Sequence, residues 1–189
     1  MKDTRERLLQ AAINLFAQKG YANTSIRQIG RKAGVSTSII YHYFKDKEEM
    51  LFEIIVSAAQ ELIQTLQDIH DSVSDPAECL REMLMAHMVH FSLKRKKETQ
   101  IIAADNHLLR GKHLLLSQEK QRRIYELYNQ KLKELAESGK MKNIDRTVVA
   151  LSVFGMINTF FMWYREGGRL SKEEVAQNIL EFIFQGILK

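Results

Sequence analysis

Apolar residues recur along this chain at three- and four-residue intervals, the spacing of helices with one buried face. Leu8, Leu9, Ala12, Ile13, Leu15 and Phe16 mark a first helix over residues 4–19, closed by Gly20. Thr24 and Ser25 then offer hydroxyl caps, and Ile26, Ile29 and Ala33 form the inner face of a short second helix. Gly34 breaks it, Val35 plugs the turn, and Ser36 is placed to cap a third helix through Ile39, Ile40, Tyr43 and Phe44. A long helix follows to about residue 70, with Met50, Leu51, Ile54, Ile55, Ala58, Leu62, Ile63 and Leu66 on one side. Asp75-Pro76 opens another, running through Met83, His87 and Phe91 to the basic run Lys94-Arg95-Lys96-Lys97. Residues 98–110 are less regular, and a further helix is predicted over 116–138.

Two segments close the chain. Residues 148–164 are apolar almost all round, so this helix must be covered on every side, by the core or by a partner subunit. Ser171-Lys172-Glu173-Glu174 has the form of a capping box and opens a last helix with Val175, Ile179, Leu180, Phe182, Ile183, Phe184 and Ile187. One proline in 189 residues agrees with an all-α protein of about nine helices.

Charge divides the chain. Residues 1–47 carry nine Lys/Arg and three Asp/Glu, a balance of +6 against +5 for the whole, so all of the positive excess lies in the first quarter. That is the footprint of a module facing a polyanion such as DNA. The division predicts a DNA-binding domain over 1–47 and a second domain over 48–189. A lone Cys79 excludes an internal disulfide. Residues 1–9 hold no signal-type hydrophobic core and no apolar run reaches ~20 residues, so a cytoplasmic protein without membrane contact is expected.

The second and third helices, with a glycine-containing turn between them, form a helix-turn-helix. The stretch from Thr24-Ser25-Ile26-Arg27-Gln28-Ile29 through Ala33-Gly34-Val35-Ser36 to Tyr41-His42-Tyr43-Phe44-Lys45-Asp46-Lys47-Glu48-Glu49-Met50-Leu51 resembles the signature of the TetR family of transcriptional regulators. The first turns of a recognition helix offer Thr37, Ser38, Tyr41 and His42 to base edges. Ser36 is read chiefly as a cap, and Ser25 stands beside it in the candidate DNA-binding set. Arg27 can reach a phosphate or a groove edge, while Phe44 belongs to the core. The resemblance implies that Tyr43 and Lys47 clamp the DNA backbone. Ser38 and Gly30 depart from the glycine and alanine usual at their positions.

The same resemblance implies a homodimer built on the last two helices, a pseudo-palindromic double-stranded operator, and a small-molecule pocket. Candidate lining residues are Met83, His87, His90, Phe91, Tyr125, Tyr128, Phe154, Asn158, Phe161 and Met162. The segment Trp163-Tyr164-Arg165-Glu166-Gly167-Gly168-Arg169-Leu170-Ser171 is similar to one in acyl-CoA-responsive members. The expected protein is a repressor released by a small hydrophobic inducer, with an acyl-CoA as one candidate. Control by a partner protein or by cationic lipophilic drugs is the alternative. No cofactor and no catalysis are expected: Glu-x-x-His pairs for a helical di-metal enzyme are missing from the sequence, as is a serine elbow.

Overall fold

The computed structural model describes residues 3–189, except for the side chain of His90. They form α1 (Thr4–Lys19), α2 (Ile26–Ala33), α3 (Thr37–Tyr43), α4 (Lys47–Ser72), α5 (Pro76–Met85), α6 (Lys96–Asp105), α7 (Gly111–Glu137), α8 (Arg146–Trp163) and α9 (Lys172–Ile187). The predicted all-α class holds: among the described residues the one β feature is a lone antiparallel bridge, Met141 to Leu188. Helix α7 begins five residues earlier than the periodicity suggests. Residues 98–110 resolve into most of α6 and a 3-10 turn, Asn106–Leu108.

The chain separates into two compact units: residues up to Gln60 with Lys97–Lys120, and Glu61–Lys96 with Gln121–Lys189. This partition differs from a division at residue 47. Met50, Leu51, Ile54 and Ile55 of α4, with Ile101 and Leu109 beyond, share one buried core with Leu8, Phe16, Ile29, Ile40 and Phe44. The early helices are too short to enclose that core, so α4 and the corner between α6 and α7 complete it. Both α4 and α7 contribute residues to each unit.

Capping fixes the short helices of the first unit. The Ser25 hydroxyl accepts the Gln28 N–H at 3.3 Å, and the Gln28 carboxamide accepts the Ser25 N–H at 2.8 Å, a reciprocal box. Gly34 adopts φ +69°, the left-handed cap that a Cβ disfavours, and turns the chain into α3. Gly30 has a separate reason. A Cβ there would lie 3.0 Å from the Val35 carbonyl oxygen and 3.0 Å from Ile40 Cδ1, so bare backbone lets α3 approach α2 closely.

In the second unit α5 continues into a wider π-helical segment, Ala86–Leu93, against which α8 and α9 pack. Asp75 caps α5, accepting from the N–H groups of Ala77 and Glu78 at 3.0 Å each. The predicted box at α9 is present: the Ser171 hydroxyl accepts the Glu174 N–H at 3.2 Å, and the Glu174 carboxylate accepts the Ser171 N–H at 2.7 Å.

Helix α8 is long and apolar enough to cross a membrane by length and composition alone. One side of it, Val149, Ala150, Val153, Ile157, Phe160 and Phe161, is buried in the unit. The other is uncovered: Val148, Leu151, Met162 and Trp163 are 52–69% exposed. The all-round burial expected of α8 is therefore not met within one chain.

Candidate nucleic-acid interface and ligand-sensing core

Within the first unit, α3 is pinned by Ile40 and Phe44, both buried, as the sequence reading assigns for Phe44. At 100° per residue this anchorage turns Ser38, Tyr41 and His42 outward, and all three are exposed. Thr37 is half-buried at the helix start. Tyr43 is half-buried too, with the His42 ring edge-on at 5.1 Å. Arg27 stands exposed on α2. The Ser25 hydroxyl oxygen is occupied by its cap, leaving its own proton for an external acceptor. These groups suit a groove reader: small hydroxyls at the start of α3, a phenol and an imidazole in its last turn, and a guanidinium on α2.

Two sequence readings need correcting. Ser36 occupies the N-cap position of α3, yet its side chain accepts no backbone N–H. It shares a 2.8 Å hydrogen bond with the Ser38 hydroxyl instead, so the serine that replaces the usual glycine supplies the competing partner. Lys47 does not project as a free backbone clamp. Its ammonium donates to the carbonyls of Tyr21 at 2.8 Å and Thr24 at 2.7 Å, and lies 4.1 Å above the Tyr21 ring centre. Burial lowers its pKa, opposed only in part by Asp105. Two of its three protons are committed to closing the turn between α1 and α2.

Sequence reading missed the groups that hold this reader on its base. The Glu48 carboxylate accepts the Arg110 N–H at 3.1 Å and meets His113 Nδ1 at 3.2 Å. The His113 ring stacks on Phe52 at 4.2 Å, Arg5 pairs with Glu53, and Lys97 donates to the Asn14 carboxamide. These pairings join residues 48–83 positions apart, where no local pattern announces them.

The second unit gathers most of the pocket candidates. Met83 and Tyr128 are buried, as are His87 and Phe91, while Tyr125 and Phe154 are half-buried. The Tyr128 hydroxyl donates to the Met83 carbonyl at 3.1 Å and meets His87 Nδ1 at 3.2 Å. Since the phenol proton goes to the carbonyl, the imidazole is assigned as donor at Nδ1, which leaves Nε2 an acceptor. Burial holds His87 neutral by pushing its pKa down to about 4, and raises that of Tyr128. Phe154 completes the cluster, edge-on to Tyr128 at 5.2 Å and stacked on Tyr125 at 6.2 Å.

Phe161 is buried on the inner face of α8. Asn158 and Met162 are not pocket residues in this chain. Helical geometry puts them with Leu151 and Gly155 on the exposed side, roughly opposite Val153 and Ile157. The His90 side chain lies outside the described residues. The segment 165–170 lies beyond α8, which stops at Trp163 with Tyr164 extended.

Residues 8–54 match the model of bacterial regulatory proteins of the tetR family. Residues 73–187 match that of the tetracyclin repressor-like C-terminal domain. The chain belongs to the TetR family of bacterial transcriptional regulators. It is 28% identical to the HTH-type transcriptional repressor KstR2 of Mycolicibacterium smegmatis, over 97% of this chain and 90% of that protein. It is 25% identical to the fatty acid metabolism regulator protein of Bacillus subtilis, over 99% of this chain and 98% of that one. The solved ketosteroid transcriptional regulator KstR2 of Mycobacterium tuberculosis superposes with TM-score 0.91 at 26% identity, covering 100% of this chain and 97% of its own. AibR, solved with isovaleryl coenzyme A and operator DNA, shares the fold at TM-score 0.88 and 22% identity, covering 96% and 98%. The protein is thus a ligand-responsive DNA-binding regulator of the repressor type, not an enzyme.

Proposed function

We propose that this regulator binds a pseudo-palindromic operator as a homodimer and leaves it when an acyl-CoA enters the second unit. The DNA-facing set is Ser25, Arg27, Thr37, Ser38, Tyr41, His42 and Tyr43, with Ser36 acting through Ser38 and Lys47 bracing the turn behind them. The observation that carries the ligand reading is the buried His87–Tyr128 pair, set among Met83, Phe91, Tyr125 and Phe154. Apolar and aromatic side chains packed around one polar pair have the chemistry to receive a short acyl chain ending in a polar function. The coenzyme A ester named in the AibR structure and the fatty acid regulator among the relatives support the same class.

The dimer rests on α8 and α9. Val148, Leu151, Gly155 and Met162 on α8, with Asn178, Phe182 and Gly186 on α9, lie on faces turned away from the buried sides of their own helices. A self-complementary patch of this kind repeats each contact twice about a two-fold axis. Such a dimer carries two α3 helices at a spacing of about one DNA turn, ~34 Å, which is why the operator is expected to be two-fold symmetric. Ligand binding and operator binding then oppose each other by linkage, and α4 and α7 carry the effect because each belongs to both units.

A thermal-shift series tests the ligand. Isovaleryl-CoA and medium-chain acyl-CoAs at a hundredfold excess over Kd should stabilise the fold by about 2.7 kcal/mol, read as a rise in Tm. Tyr128→Phe, which removes the hydroxyl at the centre of the cluster, should reduce that rise. No stabilisation by any acyl-CoA, with stabilisation by a cationic lipophilic compound instead, contradicts the acyl-CoA reading.

A further inference from the structure

The first unit carries a second polar concavity whose groups the DNA-facing set does not include. A groove of about 220 Å³ runs between α1 and the last turn of α2, lined by Arg7, Gln10, Ala11, Asn14, Lys32 and Ala33. Arg7, Gln10, Ala11 and Asn14 sit at the i, i+3, i+4, i+7 positions of α1 and so share one face. Lys97 donates to the Asn14 side-chain oxygen at its rim. Three cations and two carboxamides converge there, and no carboxylate is among the lining residues. Among the described residues, Arg7 and Lys32 make no side-chain hydrogen bond or ion pair.

The groove faces away from the recognition helix. Gly30 is the α2 residue against Ile40 of α3, and Lys32, two positions on, lies about 200° around the helix from it. Arg7, Lys32 and Lys97 are all exposed, and an anion seated among these three like charges relieves their mutual repulsion. The Lys97 bond fixes the Asn14 amide with its oxygen engaged, leaving its N–H groups free to donate. Among the described residues the Gln10 carboxamide makes no hydrogen bond.

We propose that the α1–α2 groove binds a phosphate-bearing anion of nucleotide size, its phosphates held by Arg7, Lys32 and Lys97 and its polar body read by Gln10. The ligand is a free nucleotide, distinct from the operator DNA that the recognition helix reads. Calorimetric titration of the full chain with ADP and with inorganic pyrophosphate, paired with the salt dependence of operator binding, tests the proposal and separates a nucleotide site from a DNA-backbone contact. The wild type should bind ADP saturably, and the exposed pair Arg7→Gln/Lys32→Gln should weaken that binding tenfold or more. Lys19→Gln, a control on the same helix, should not.

If a free nucleotide is the ligand, the logarithmic salt slope of operator binding stays the same in the double variant. A slope that falls by about 2, one counterion for each lost contact, would assign the groove to the DNA backbone and overturn the proposal. Wild-type chain that binds neither ADP nor pyrophosphate, with an unaltered slope in the double variant, overturns the proposal. So does ADP binding that is indifferent to both substitutions.

Discussion

His87 is held neutral in a place where its charged form has no partner, and that has a measurable sign. Burial pushes its pKa down to about 4, so the unfolded chain takes up a proton that the native state refuses. The stability His87 allows is fully present above the unfolded value near 6.5 and is lost as pH falls through about 4. Denaturant unfolding between pH 7 and pH 4 should show a decline of up to roughly 3 kcal/mol from this residue. His87→Gln should flatten that portion of the profile; an unchanged slope would show that His87 is not buried neutral. Lys47 allows a second test. Lys47→Met removes two bonds to backbone carbonyls and should destabilise the fold by about 1–3 kcal/mol. A lysine serving only as a phosphate clamp would lower operator affinity and leave unfolding untouched. The motif register places Lys47 correctly in the sequence, but its direction is decided by carbonyls 23 and 26 residues earlier. Ser36 shows the same limit, since its cap position is legible and its preference for the Ser38 hydroxyl is not.

Helix boundaries were readable wherever a cap or a breaker is local. Gly20, Gly34, Asp75 and the Ser171–Glu174 box each close or open a helix where periodicity and residue chemistry agree. The faces of α8 were not readable, because apolar residues surround it and no polar stripe marks the outer side. Only packing shows that Val153 and Phe160 face inward while Leu151, Asn158 and Met162 face out. The prediction at this scale concerns Phe182, 71% exposed on α9. Phe182→Glu would bury two carboxylates against an apolar face in the symmetric dimer and should raise the dimer dissociation constant at least a hundredfold. Sedimentation equilibrium would show monomer, with the helical circular dichroism of the folded chain at low temperature unchanged and its Tm no longer dependent on protein concentration. A dimer of wild-type strength would move the interface elsewhere.

At the scale of the whole molecule, the residues of the DNA reader are a contiguous motif, and its support is not. A long helix and a distant corner, joined through Glu48, His113 and Phe52, complete the first unit. In the proposed mechanism α4 and α7, which contribute residues to both units, are the elements through which ligand binding would alter operator affinity. The aromatic cluster was legible as residue types at helical spacing, whereas the His87–Tyr128 bond at its centre depended on tertiary contact. The account's central claim is that the two binding events oppose each other. The most direct measurement is operator affinity by fluorescence anisotropy, at fixed salt, on a two-fold symmetric duplex, with and without saturating acyl-CoA. The account predicts an affinity 5- to 150-fold weaker with ligand, and acyl-CoA affinity reduced by the same factor when operator is saturating. Equal operator affinity with and without saturating ligand would contradict it.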